Sequence, residues 1–143
     1  MSGKPALGFL LIGTLFLLSG CLGEGLVSAG RKRVTFALVL DTRAYNGKTA
    51  YADILDTPEG TLIETVSAVF ASYPNTANHS WARFTTLGEI ETNHRYFLDF
   101  FIDMDGDGVE DSGDLRGIQH FDVMPNATWS ETKYFSQDLE PVP

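Results

Sequence analysis

The chain has 143 residues, with 19 acidic against 10 basic side chains for a formal charge of −9, and a single cysteine. That length suits one domain plus a targeting segment, and an acidic balance with no basic stripe excludes nucleic acid as a partner. With 43% hydrophobic and 12% aromatic residues, the composition is that of a globular domain, and one cysteine excludes an internal disulfide framework.

The N-terminus reads as a secretory leader. Residues 1–4 are short and basic, and residues 6–18 are apolar apart from Gly8, Gly13 and Thr14. The run ends in Leu18-Ser19-Gly20-Cys21, which resembles the lipobox of prokaryotic lipoproteins. The resemblance covers the leader alone. It implies cleavage before Cys21, lipidation of the Cys21 thiol, and a place at the cell envelope, extracytoplasmic and anchored to the membrane. Several acyl chains, at about 0.8 kcal/mol per buried CH₂, make such an attachment effectively permanent. The competing reading is an uncleaved transmembrane anchor, because the apolar run is nearly long enough to span a bilayer. Arg31, Lys32 and Arg33 beyond it outnumber Lys4, which suits that alternative. The lone cysteine after Ser-Gly favours the lipid.

Residues 21–32 are rich in small side chains and read as a flexible tether. Strand signals then begin. Val34, Phe36, Leu38 and Leu40 alternate with Thr35, Ala37 and Val39. Asn46-Gly47 is a hairpin signal of the kind that favours a type I′ turn, with a return strand over residues 48–55. Thr57-Pro58-Glu59-Gly60 predicts a second turn. A long strand follows over residues 61–72, with Leu62, Val66 and Phe70 along one face. Residues 79–86 and 95–103 supply two more strands, residues 117–123 another, and residues 129–136 the last. The pattern predicts an all-β fold, a single antiparallel β-sandwich of about seven strands behind a cleaved N-terminal signal segment of residues 1–20. The domain spans residues 33–139, and the acidic, proline-bearing tail of residues 140–143 is expected to fray.

Between two of those strands lies loop 103–114, Asp-Met-Asp-Gly-Asp-Gly-Val-Glu-Asp-Ser-Gly-Asp. So many carboxylates repel one another, and a bound cation relieves the repulsion. Calcium takes six to eight oxygens, and a twelve-residue loop can wrap one ion. Asp103, Asp105 and Asp107 fill positions 1, 3 and 5, and Gly108 supplies the turn at position 6. Val109 offers its carbonyl at position 7, Asp111 stands at position 9 and Asp114 closes the loop at position 12. The loop resembles those of EF-hand and dockerin proteins, which implies Ca²⁺ as cofactor and Asp103, Asp105, Asp107, Val109, Asp111 and Asp114 as its ligands. Two departures confine the resemblance to the loop. Asp114 is one methylene shorter than the usual glutamate, which points to an affinity of about 10⁻⁴–10⁻³ M, as in extracellular modules. Glu110 occupies position 8, normally apolar and paired with a second loop, and there is no second loop.

The preceding segment has His94, Tyr96, Leu98, Phe100 and Ile102 on one face. That period of two predicts strand–loop–strand, although Phe97, Phe100 and Phe101 also fit a helical face. An aromatic strand leading into such a loop resembles secreted transthyretin-like or immunoglobulin-like sandwich domains.

His79, His94 and His120 fit no zinc spacing, and no nucleophile elbow or phosphate-binding loop is present. Trp81, Trp129, Tyr45, Tyr51 and Tyr134 offer either core packing or an aromatic platform. The function expected is a non-enzymatic, calcium-binding interaction or scaffold module with an envelope protein or a glycan as partner. A carbohydrate- or protein-binding module with a calcium-shaped loop is the alternative, and a small calcium-assisted hydrolase ranks below it.

Overall fold

The computed structural model describes residues 30–127 and 129–143. The leader, the lipobox with Cys21 and the tether up to residue 29 lie outside the described residues. Among the described residues the regular structure is strand apart from one short 3-10 turn. In chain order the strands are β1 (Arg31–Lys32), β2 (Thr35–Leu40), β3 (Thr49–Leu55), β4 (Leu62–Val69), β5 (Ala71–Ser72), β6 (Ser80–Thr85), β7 (Ile90–Glu91), β8 (His94–Asp103), β9 (Leu115–Val123), β10 (Trp129–Tyr134) and β11 (Glu140–Pro141). Four of the eleven have only two residues, and these make up the surplus over the expected number.

A four-stranded sheet, ordered β10-β2-β6-β5, packs on a five-stranded sheet, ordered β11-β9-β8-β3-β4. The inward residues follow the alternation. Phe36, Leu38 and Leu40 of β2 meet Leu98, Phe100 and Ile102 of β8, all fully or almost fully buried. An aromatic column crosses the core. Phe84 stacks on Phe36 at 5.2 Å, Phe36 on Phe121 at 4.3 Å, and Phe121 on Tyr96 at 5.8 Å, so one stack ties both sheets together. The small pair β1–β7 closes one end.

The two seams between the sheets are stitched rather than open. At one, β4 runs through buried Phe70 into β5, which pairs with β6. The Glu64 carboxylate accepts the N–H groups of Leu87 and Gly88 there, at 3.1 Å each. At the other seam Thr132 Oγ1 donates to the His120 carbonyl and Gln119 Nε2 to that of Lys133, joining β9 to β10. Such bonds occupy edge groups that would otherwise pair with other chains.

Five expectations are corrected. The sandwich is not wholly antiparallel, because β10 pairs with β2 in parallel, from Trp129↔Thr35 to Tyr134↔Leu40. Asn46-Gly47 makes no hairpin: β2 and β3 lie in different sheets, since β6 and β10 already occupy both edges of β2. Only Gly47 of the two has positive φ, +86°, so the turn is not type I′. The segment 61–72 is two strands, and a bulge beside Ile54 and Leu55 takes Leu62 out of line with Val66 and leaves it exposed. Arg31 and Lys32 belong to the folded domain rather than to a tether. The Lys32 ammonium donates to the carbonyls of Met124, Pro125 and Ala127. The tail is also anchored, because β11 pairs with β9 and Val142 N–H donates to the Asp114 carbonyl at 2.9 Å.

Candidate metal centre

Loop 103–114 joins β8 to β9, the longest antiparallel pair in the fold, which runs from His94↔Val123 to Ile102↔Leu115. Strands flank it on both sides, so the helical alternative does not hold for residues 94–103. Phe100 and Ile102 are needed in the core, and only a period of two sends both inward.

The loop turns through three positive-φ glycines, Gly106 (+88°), Gly108 (+80°) and Gly113 (+114°). Its two end carboxylates are buried, Asp103 at 3% and Asp114 at 1% exposure. Asp103 accepts from Gly106 N–H at 2.6 Å and from Gly108 N–H at 3.0 Å. Asp114 accepts from Met104 N–H at 2.8 Å and from Asp111 N–H at 3.2 Å. Asp105 and Asp107 each accept the N–H two residues on. In this way the backbone aims the carboxylates inward. Carboxylate oxygens of Asp103, Asp105 and Asp114 lie within 4.8 Å of one another, and so do those of Asp105, Asp107 and Asp111. All five predicted aspartates are therefore gathered, with Asp105 common to both groups. Val109, expected to act through its carbonyl, has its side chain in solvent.

The charges feel one another. The Asp111 carboxyl is pushed above the ordinary carboxylate range by burial and then by Asp105, Asp107, Asp114 and Asp103. Burial also pushes Asp103 up, but the N–H bonds from Gly106 and Gly108 outweigh it, and its carboxyl ends below that range. The donor set consists of oxygens only, which fits a hard cation such as calcium and does not suit a thiolate- or imidazole-seeking metal.

The loop is seated on the outer face of the five-stranded sheet by residues that the motif did not reveal. Lys48 Nζ donates to the Met104 carbonyl at 2.5 Å. The Tyr51 hydroxyl comes so near Gly108 that a Cβ there would lie 3.2 Å from it. Glu110, the anomalous position 8, turns to Arg116 at 3.6 Å, and Arg116 reaches Asp99 at 3.7 Å. A recess of ≈ 90 Å³ beside the loop is lined by Tyr51, Asp53, Asp99 and Glu110. Asp53 faces Asp99 across the strands, but Thr65 Oγ1 donates to Asp53 at 2.6 Å.

The five aromatics weighed as a platform disperse. Trp81 and Trp129 meet edge to face at 5.9 Å on the outer face of the four-stranded sheet, with the Arg83 guanidinium 5.1 Å from each ring. Trp81 lies cross-strand from Val39 and Arg83 from Ala37, and both Ala37 and Val39 are buried. Within the five-stranded sheet Tyr51 stacks on its cross-strand neighbour Phe101, Tyr134 meets Phe100 edge to face, and Tyr45 packs against the core.

Comparison with family models, with curated proteins and with solved structures finds no match to the chain.

Proposed function

We propose that this chain is a lipid-anchored, extracytoplasmic β-domain that binds one calcium ion structurally in loop 103–114 and serves, without catalysis, as an interaction or scaffold module at the cell envelope. The observation that carries the reading is the burial of Asp103 and Asp114 at the two ends of one strand connection, with Asp105 within ligand distance of both. Asp103, Asp105, Asp107, Asp111 and Asp114 would hold the ion with the Val109 carbonyl. The ion would supply the positive charge that their mutual repulsion lacks. Its place between β8 and β9 suits a staple better than a switch, because both flanks are rigid ladder. Lipidation at Cys21 rests on Leu18–Cys21 and on the leader before it.

Millimolar Ca²⁺ is expected to raise the melting temperature, with Mg²⁺ raising it less. Asp103→Ala combined with Asp107→Ala removes the rise. A wild-type chain indifferent to calcium would sink the proposal. A second reading, a glycan-binding module, draws on the Trp81–Arg83–Trp129 face. A glycan array read with and without chelator tests it, and silence on both would dismiss it.

A further inference from the structure

Among the described residues the edges of the two large sheets are unequal. β5 and β11 have two residues each, and β10 is stitched to β9 by Gln119 and Thr132. Only β4 is a long edge strand with no strand on its second side. The direction of its backbone groups follows from its C-terminal end. Phe70 N–H donates to the Lys48 carbonyl at 2.9 Å, and the Phe70 carbonyl accepts from Gly47 N–H at 2.8 Å, so Phe70 faces the β3 side. Alternation then turns the groups of Ala68, Val66 and Glu64 to β3 and those of Val69, Ser67 and Thr65 away from it. The bulge beside Ile54 and Leu55 ends this regular run before Glu64, and after Phe70 the chain joins the other sheet as β5.

Nothing guards that free side. Thr65, Ser67 and Val69 are all exposed and uncharged. Natural edges are usually blunted by lysine, proline or an inward charge, and the run from Thr65 to Val69 has none of these. Glu64 uses its side chain to hold Leu87 and Gly88, which leaves the backbone edge open. The run is also complementary to itself. A twofold axis sets the central residue against its own copy, so a charge there would forbid pairing. The centre is Ser67, a hydroxyl that can both donate and accept. On either side Thr65 would then stand opposite Val69, a β-branched pair of the kind that stabilises cross-strand contacts.

We propose that β4 pairs antiparallel with β4 of a second copy of this chain, with Ser67 opposite Ser67, so that two five-stranded sheets join into one. This register engages the free groups of Thr65, Ser67 and Val69 and requires neither the bulge nor β5. The proposal is independent of the calcium reading, because β4 lies outside loop 103–114.

The test uses the full chain in detergent micelles, carrying Cys21→Ser so that an introduced cysteine is its only thiol. Sedimentation should show a dimer that dissociates on dilution. Ser67→Cys should close an intermolecular disulfide on mild oxidation, because facing Cα atoms of a hydrogen-bonded pair stand about 5.5 Å apart, within disulfide reach. Thr65→Cys should not, because its copy is displaced by about four residues, roughly 13 Å along the strand. Ser67→Glu and Ser67→Lys each set like charges face to face and should give monomers with unchanged far-ultraviolet dichroism. A chain monomeric at every concentration overturns the proposal and leaves the edge to a strand of another protein. It is overturned equally if Thr65→Cys cross-links as readily as Ser67→Cys, or if both charged variants dimerise with unchanged Kd.

Discussion

Gly117 illustrates what one residue can decide. A Cβ at this position in β9 would lie 2.8 Å from Phe100 Cζ and from the Tyr134 hydroxyl, closer than real Cβ contacts allow. Phe100 is held in the core and cannot retreat. Gly117→Ala is therefore expected to destabilise the fold by about 1–3 kcal/mol, the cost of overpacking, as measured by urea unfolding. Adding Tyr134→Ala should recover part of that loss, and a strictly additive pair of effects would show that the contact is not the cause. Gly108 is constrained in two ways, by its +80° φ and by the Tyr51 hydroxyl above it. The sequence motif predicted the turn but not the ring. Glu110 is similar: its departure from the EF-hand pattern is plain in the sequence, but its Arg116 partner is not, because an irregular loop end and the start of β9 separate them.

At the scale of elements, the aromatic column makes the two sheets interdependent. Phe36 on β2 touches Phe84 in its own sheet and Phe121 in the other. Phe36→Ala should cost about 3–5 kcal/mol, a large share of the about 5–15 kcal/mol that stabilises a domain of this kind. Loss of the near-ultraviolet dichroism at 37 °C would be the signature, and a fully cooperative variant with unchanged midpoint would refute the column's role. The inward residues were legible in β2 and β8, because alternation assigns faces without reference to partners. Pairing was not. The parallel β2–β10 ladder joins segments about ninety residues apart in sequence, and a parallel partner leaves no turn signal between them. The bulge that turns out Leu62 was equally hidden, since Leu62, Val66 and Phe70 keep an even spacing in the sequence.

For the whole molecule, acidity sets the pH dependence. Asp41 is held below the ordinary carboxylate range by its hydrogen bonds with Ser136, which pin the end of β2 to the C-terminal turn. Asp122 is held below it by Arg95, at 2.8 Å. A carboxyl whose folded pKa is depressed contributes stability that is present above its unfolded value and is lost as pH falls through the folded one. Asp41→Asn with Asp122→Asn should thus lower the melting temperature slightly at neutral pH, because both carboxyls are exposed and solvent screens their bonds. At pH values below both folded pKa values the difference should vanish. A gap that stays constant across the titration would contradict these assignments.

By itself the sequence determined the all-β class, the inward faces of the central strands and the five aspartates of the candidate metal centre. These are local properties, set by side-chain period and by spacing within a dozen residues. The tertiary structure alone decided which strands pair, that the tail and Lys32 belong to the fold, and that the loop rests on Lys48, Tyr51 and Arg116. Each of these brings together groups far apart along the chain, and their positions follow from how two twisted sheets bury one common core.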